Sequence, residues 1–164
     1  MHKTYSFDSA IGMITLSCTS SGLSEVFLGG ASSANQPSEN GSPLLREASR
    51  QINEYLAGGL REFDVPLDWE SIRGFQREVL DLTFGIRFGE VLTYGEIARR
   101  LGKPAASRAV GAALGRNPMP IIIPCHRVVA ANGALTGYSA ADGIQTKAWL
   151  LTLEGRKIVG QKLA

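Results

Sequence analysis

At the N-terminal end, apolar and polar positions alternate with a period of two. The runs "KTYSFDS", "GMITLSCTS" and "GLSEVFLGG" are short, rich in β-branched and aromatic residues, and separated by Gly and Ser, which predicts a small antiparallel sheet. Ile14, Leu16 and Cys18 share the inward face of the middle run, where a free cysteine behaves as a small hydrophobe. After the polar loop "ASSANQPSENGSP" the period lengthens. In "LLREASRQINEYLAGG", Leu45, Ser49, Ile52 and Leu56 recur near helical spacing and Gly58-Gly59 offers a C-terminal stop. "FDVPLDWESIRG" reads as a short strand and connector, so a domain boundary is expected near residues 68–74, with 1–71 and 72–164 as the two domains.

Helical spacing then dominates. "FQREVLDLTFGI" places Phe75, Val79 and Leu82 on a helix face. In "TYGEIARRLG", Thr93 and Glu96 fit a capping box, Ile97 and Leu101 stack one turn apart, and Gly102 stops the run. "SRAVGAALGRNP" follows, with Ser107 as the expected N-cap, Val110, Ala113 and Leu114 on one face, and Asn117-Pro118 as terminator. Two short helices across a tight Gly-containing turn match a helix-turn-helix, although any α-hairpin has the same outline. "MPIII" reads as a buried strand or extended segment and Asn132-Gly133 as a turn. "TKAWLLTLEG" reads as a last amphipathic helix packed through Trp149, Leu150 and Leu153. The fold class is α+β: a sheet-and-helix N-terminal domain followed by a mainly helical one.

Composition adds bounds. The 164 residues are 44% apolar and 20% charged, as in an ordinary globular protein. No apolar run approaches the roughly 20 residues that span a bilayer, and the first residues lack a secretion signal, so no membrane role and a cytoplasmic location are expected. With two cysteines, two histidines and no CxxC pair, no zinc site is expected. Charge is uneven: residues 1–71 carry 4 basic and 9 acidic side chains, net −5, and residues 72–164 carry 13 and 6, net +7. A basic half suits a phosphate backbone and equally suits a solvated surface.

The basic half holds "IIIPCHRVVAANG", with Cys125 and His126 adjacent. A thiol attacks as thiolate, so a reactive cysteine needs an imidazole, a cation or a helix N-terminus nearby. Sequence neighbours seldom face each other, so His126 is expected to reach Cys125 through water or through a bend fixed by Pro124. A polarised histidine wants an orienting acid, and Glu154 is the candidate. On spacing alone, a buried core thiol beside a surface histidine fits as well.

"IPCHRVV" resembles the active-site motif of the O6-alkylguanine-DNA alkyltransferases, the methylated-DNA–protein-cysteine methyltransferases. "FGEVLTYGEIA", "SRAVGAALGRNP", "GYS" and "KAWLLTLEG" resemble further segments of that family in the same order, covering about residues 75–157. The resemblance implies a ribonuclease H-like N-terminal domain, a winged-helix-like C-terminal one, and a DNA repair protein that acts once. Cys125 would take the alkyl group from O6-alkylguanine, and by extension O4-alkylthymine, in duplex DNA. His126 would draw off the thiol proton through water, with Glu154 holding the imidazole. Tyr94 would donate toward N3 of guanine and crowd the 3′ phosphate. Arg108 would enter the base stack in place of the flipped nucleotide, with Ser107, Ala109 and Gly111 beside it on the recognition helix. Asn117 would hold the turn before the cysteine. Tyr138, the backbone of Ser139, Met119, and the carbonyls of Cys125 and Val128 would wall the base pocket. No cofactor or metal is implied, and a monomer is expected.

Each assignment has a plainer alternative: Tyr94 as the residue after a cap, Arg108 as a surface cation, Asn117 as a helix stop, Tyr138 as core. The chain departs from the family in "GYSAADGIQTK", two residues longer than a Gly-Gly turn, which bears on the range of alkyl groups accepted. Three rival functions are an alkyltransferase-like lesion binder, against which Cys125 argues, a helix-turn-helix regulator, and a cysteine hydrolase of small substrates.

Overall fold

The computed structural model describes residues 2–29, 41–138 and 140–164. The chain divides into two compact units, Met1–Ser71 and Ile72–Ala164. Among the described residues no helix is long and apolar enough to cross a membrane.

The first unit is built on three strands, β1 (Lys3–Ser9), β2 (Gly12–Thr19) and β3 (Gly22–Leu28), paired antiparallel in that order. Ile14, Leu16 and Cys18 are buried on β2, as the alternation requires. One helix, α1 (Pro43–Leu56), covers the sheet. Ser42 caps it by accepting from the Leu45 amide, and it closes with Gly58 at φ +85° and paired bonds from Gly58 and Gly59 back to Tyr55 and Glu54. The predicted strand near Leu67 reduces to a single bridge: the Leu23 amide donates to the Pro66 carbonyl and the Asp68 amide to the Leu23 carbonyl, and a side chain at Gly22 would meet the Pro66 carbonyl at 2.5 Å.

The second unit contains α2 (Gly74–Phe84), β4 (Leu92–Thr93), α3 (Tyr94–Arg100), α4 (Ser107–Gly115), a 3-10 turn at Cys125–Arg127, β5 (Val128–Val129), α5 (Ile144–Leu153), and a terminal hairpin of β6 (Ile158–Val159) and β7 (Lys162–Leu163). Strand β4 pairs parallel with β5, Leu92 opposite Val128 and Thr93 opposite Val129. The capping box of α3 forms in full: the Glu96 amide donates to Thr93 Oγ1 at 3.1 Å and the Thr93 amide to Glu96 Oε2 at 2.6 Å.

Several expectations need correction. Ser107 is the first helical residue of α4 and Ala106 its N-cap, with no side-chain cap bond. α2 buries Val79, Leu80 and Thr83, while Phe75 and Leu82 are half-buried. "MPIII" is buried but is not a strand: it folds into a tight turn with Ile121 at φ +75°. That region is costly for a β-branched residue, by about 1–3 kcal/mol. α5 buries Thr146, Lys147, Leu150 and Leu151, leaving Trp149 39% exposed.

Candidate active site

Pro124 makes the bend. At φ −80° and ψ 64° it forms an inverse γ-turn, closed by the Cys125 amide donating to the Ile123 carbonyl at 2.8 Å. The chain enters the 3-10 turn there, with Arg127 N–H donating to the Pro124 carbonyl and Val128 N–H to the Cys125 carbonyl. Asn117 stitches the approach: its Nδ2 donates to the Ile123 carbonyl at 2.8 Å and its Oδ1 accepts from the Met119 amide at 3.0 Å. These bonds hold the strained Ile121 turn in place and leave the Asn117 amide beside the thiol.

Cys125 is 9% exposed and lines a cleft with Leu114, Asn117, Pro120, Tyr138 and Ala140. Burial pushes the thiol above its ordinary value, so at neutral pH it holds its proton. Asn117, the Lys147 ammonium and the amides of Cys125 and His126 act in the opposite direction and favour the anion once it forms.

His126 is fully buried, with Nε2 3.0 Å from Glu154 Oε1. Burial holds the imidazole below the usual histidine value, against the upward pull of Glu154. Glu154 stands at the C-cap of α5, and its bonds to His126 and Arg127 hold its carboxyl down at about 2 despite burial.

Two buried cations were missed by sequence reasoning. Arg127 chelates Glu154, Nε reaching its two oxygens at 3.1 and 3.0 Å and Nη2 reaching Oε1 at 2.6 Å. Lys147, 1% exposed, donates from Nζ to the Val128 carbonyl at 2.5 Å and the Thr136 carbonyl at 2.8 Å, and burial lowers it to about 8. A signal for Lys147 was available: Lys147, Leu150, Leu151 and Glu154 follow i, i+3, i+4, i+7, so both charges ride on the apolar face. Each also opposes the helix dipole, a cation near the N-terminus and an anion at the C-terminus. Helix stability would not choose either position.

The other expected residues fall into three groups. Tyr94 belongs with the thiol: its hydroxyl donates to the Thr136 carbonyl at 2.9 Å, and Lys147 Nζ lies 5.9 Å from its ring centre. A side chain added at Gly111 would stand 3.8 Å from that ring, so Gly111 lies against Tyr94. Tyr138 is 8% exposed and its hydroxyl has no hydrogen-bond partner among the described residues. On α4, Arg108 and Ala109 are exposed and Ser107 half-buried, with the exposed cations Arg99, Arg100, Lys103 and Arg116 in the same helical pair and its flanks. Met119 and Val128 are wholly buried and line no part of the cleft; Pro120 forms the wall expected of Met119. The Val128 and Cys125 carbonyls already accept one bond each, and each retains a second lone pair. Ser139 lies outside the described residues.

The comparisons with known proteins agree on one family. Residues 74–156 match the model described as 6-O-methylguanine DNA methyltransferase, DNA binding domain, and residues 1–69 match that of its ribonuclease-like domain. A methylated-DNA–protein-cysteine methyltransferase of Methanosarcina acetivorans is 48% identical over 152 residues, covering 91% of this chain and 96% of its own. The crystal structure of Mycobacterium tuberculosis OGT in complex with DNA superposes with a TM-score of 0.79 at 40% identity, covering 93% of each chain. The O6-methylguanine methyltransferase of Pyrococcus kodakaraensis gives a TM-score of 0.60 at 28% identity, covering 94% of this chain and 99% of that one. With both halves matched and identity this high over nearly the full length, the chain belongs to the 6-O-methylguanine DNA methyltransferase family.

Proposed function

We propose that this protein repairs DNA by moving the alkyl group of an O6-alkylguanine in a duplex onto Cys125, once and irreversibly, in the cytoplasm. The observation that carries the reading is a buried thiol lining a cleft, followed in the chain by a histidine bound to a buried carboxylate. In the transfer, the Cys125 proton passes by way of water to His126. Glu154 engages Nε2, so the exchange falls to Nδ1. The sulfur forms a bond to the alkyl carbon as the carbon–O6 bond breaks. The departing guanine keeps that electron pair and takes a proton at N3 from Tyr94, which gives up its bond to the Thr136 carbonyl. Lys147 and the amides of Cys125 and His126 favour the thiolate during the step. A thioether has no good leaving group for the reverse reaction, so the protein is consumed.

The base must first leave the helix, at a cost of a few kcal/mol in stacking and pairing. Arg108, exposed in the first turn of α4 without an ion pair among the described residues, serves as the side chain that fills the gap. The surrounding cations offset the cost through phosphate contacts. At about 30 Å³ the cleft is far smaller than a nucleobase, so it must widen to admit one.

The test is incubation with a duplex containing O6-methylguanine followed by intact mass measurement. One methyl increment on Cys125 is expected, and none in Cys125→Ser. Turnover beyond one equivalent, or methyl on Cys18, would overturn the proposal.

A further inference from the structure

Glu154 is bound more heavily than an orienting carboxylate requires. Arg127 gives three short contacts to its two oxygens, and the Oε1 that meets His126 is shared with the guanidinium at 2.6 Å. The remaining arm, Nη1, donates to the Ile86 carbonyl at 2.6 Å, and the guanidinium lies 6.0 Å from the Phe88 ring centre. Arg127 is 6% exposed, Glu154 4% and His126 0%, so this cluster is shielded from bulk solvent and each charge in it is felt strongly.

Burial already disfavours the imidazolium, and the charge balance of that cluster decides how far Glu154 can offset it. A lone carboxylate against a buried histidine favours imidazolium, and an imidazolium cannot accept the thiol proton. The charged groups that act on the His126 ring are Glu154 and Lys147 from α5 and its C-cap, and Arg127 from its own turn. α2 also packs on this turn, and its buried residues Val79, Leu80 and Thr83 carry no charge. With Arg127 present, the carboxylate is answered by a guanidinium in direct contact, and Lys147 adds a second cation to the cluster.

We propose that Arg127 is a positioning residue for alkyl transfer: by chelating Glu154 it cancels the carboxylate's charge, so that His126 waits as neutral imidazole. The inference rests on the alkyl-transfer reading of the site. Burial is the largest downward influence on His126, and Arg127 and Lys147 add to it against the upward pull of Glu154.

The test pairs two readouts in the full-length protein. One is the pH dependence of the single-turnover rate on an O6-methylguanine duplex. The other is the NMR titration of the His126 ring without DNA, assigned with His2→Gln because the chain has only two histidines. Arg127→Met is expected to raise the titration of His126 by about one pH unit or more and to move the acid limb of the rate profile by the same amount, roughly a tenfold loss just below neutrality that fades at alkaline pH. Arg127→Lys should stay close to the unsubstituted protein in both readouts. Arg127→Met with Glu154→Gln should bring the titration back down. An equal rate loss at every pH with His126 unshifted would overturn the proposal. So would an imidazolium at neutral pH in the unsubstituted protein, a measurement that needs no variant to fold. Absence of methyl transfer by the unsubstituted protein would overturn the transfer reading instead, while the titration still decides the part played by Arg127.

Discussion

Both cysteines of this chain are buried free thiols, yet their neighbourhoods have little in common. Cys18 lies on the inner face of β2 with Ile14 and Leu16, and among the described residues its Sγ meets the Ser42 hydroxyl at 3.6 Å. Cys125 faces Asn117, the Lys147 ammonium and two backbone amides, with the His126–Glu154–Arg127 cluster adjoining it. Burial opposes ionisation at any thiol, and at Cys125 it does so against stated countermeasures. The difference teaches that a shielded sulfur becomes a nucleophile when its proton has somewhere to go and its charge has something to face. Among the described residues no imidazole or cation is hydrogen-bonded to Cys18.

The contrast sharpens most if the cation at Cys125 is removed. Lys147→Met deletes the ammonium and both of its carbonyl bonds, and should slow methyl transfer about a hundredfold, corresponding to about 3 kcal/mol in the transition state. Single-turnover kinetics measure this, and modification of Cys18 by a small thiol reagent in the unfolded chain gives the reference reactivity. An unchanged rate would show that Lys147 only supports packing.

Arg108→Ala comes next. It should cost about tenfold on duplex substrate and almost nothing on free O6-benzylguanine, because only the duplex requires a base to be extruded. Equal losses on both substrates would remove Arg108 from that role.

Acid should then act on the Cys125 cluster through its charges. Glu154 is depressed from 4.5 to about 2, so its contribution is complete above about 4.5 and disappears as pH falls toward 2. His126, also depressed, contributes above the ordinary histidine value and loses that contribution as pH falls below it. Both signs are the same: the unfolded chain binds the extra protons, and stability drops on acidification by an amount on the order of 3 kcal/mol for Glu154. Urea titrations at pH 7 and pH 3 measure it, and Glu154→Gln should flatten the difference. The smallest effect belongs to Cys18→Ala, which should cost about 1 kcal/mol of stability and leave the transfer rate unchanged.

Much of the fold was legible because local chemistry and tertiary packing agree there. The strands of the first unit follow alternation, and the Thr93–Glu96 box and the glycine at position 102 mark the two ends of α3. Legibility failed where packing overruled pattern. "MPIII" has the composition of a strand, but the side chain of Asn117 folds it into a turn with Ile121 in a left-handed conformation. α5 was phased on Trp149 because a tryptophan looks more like core than a lysine, yet the lysine is the residue inside. At the site, the motif around Cys125 pointed to His126 and Glu154, and the structure brings those two together. Lys147 and Arg127 escaped notice because charged side chains are seldom buried, and the bonds that make burial tolerable come from residues distant in sequence.

The ladder between β4 and β5 is only two rungs long, but it joins the strand that leads directly into Tyr94 to the strand that leaves directly from Arg127. Tyr94 and the sulfur therefore share one chassis whose tolerance is set by peptide geometry rather than by rotamers. A duplex seated about one ångström off on the helical pair would carry that error to the reacting atoms, where such a misplacement costs about a hundredfold in rate. For a protein that can act only once, this stiffness is a safeguard: a poorly seated base finds the sulfur out of line.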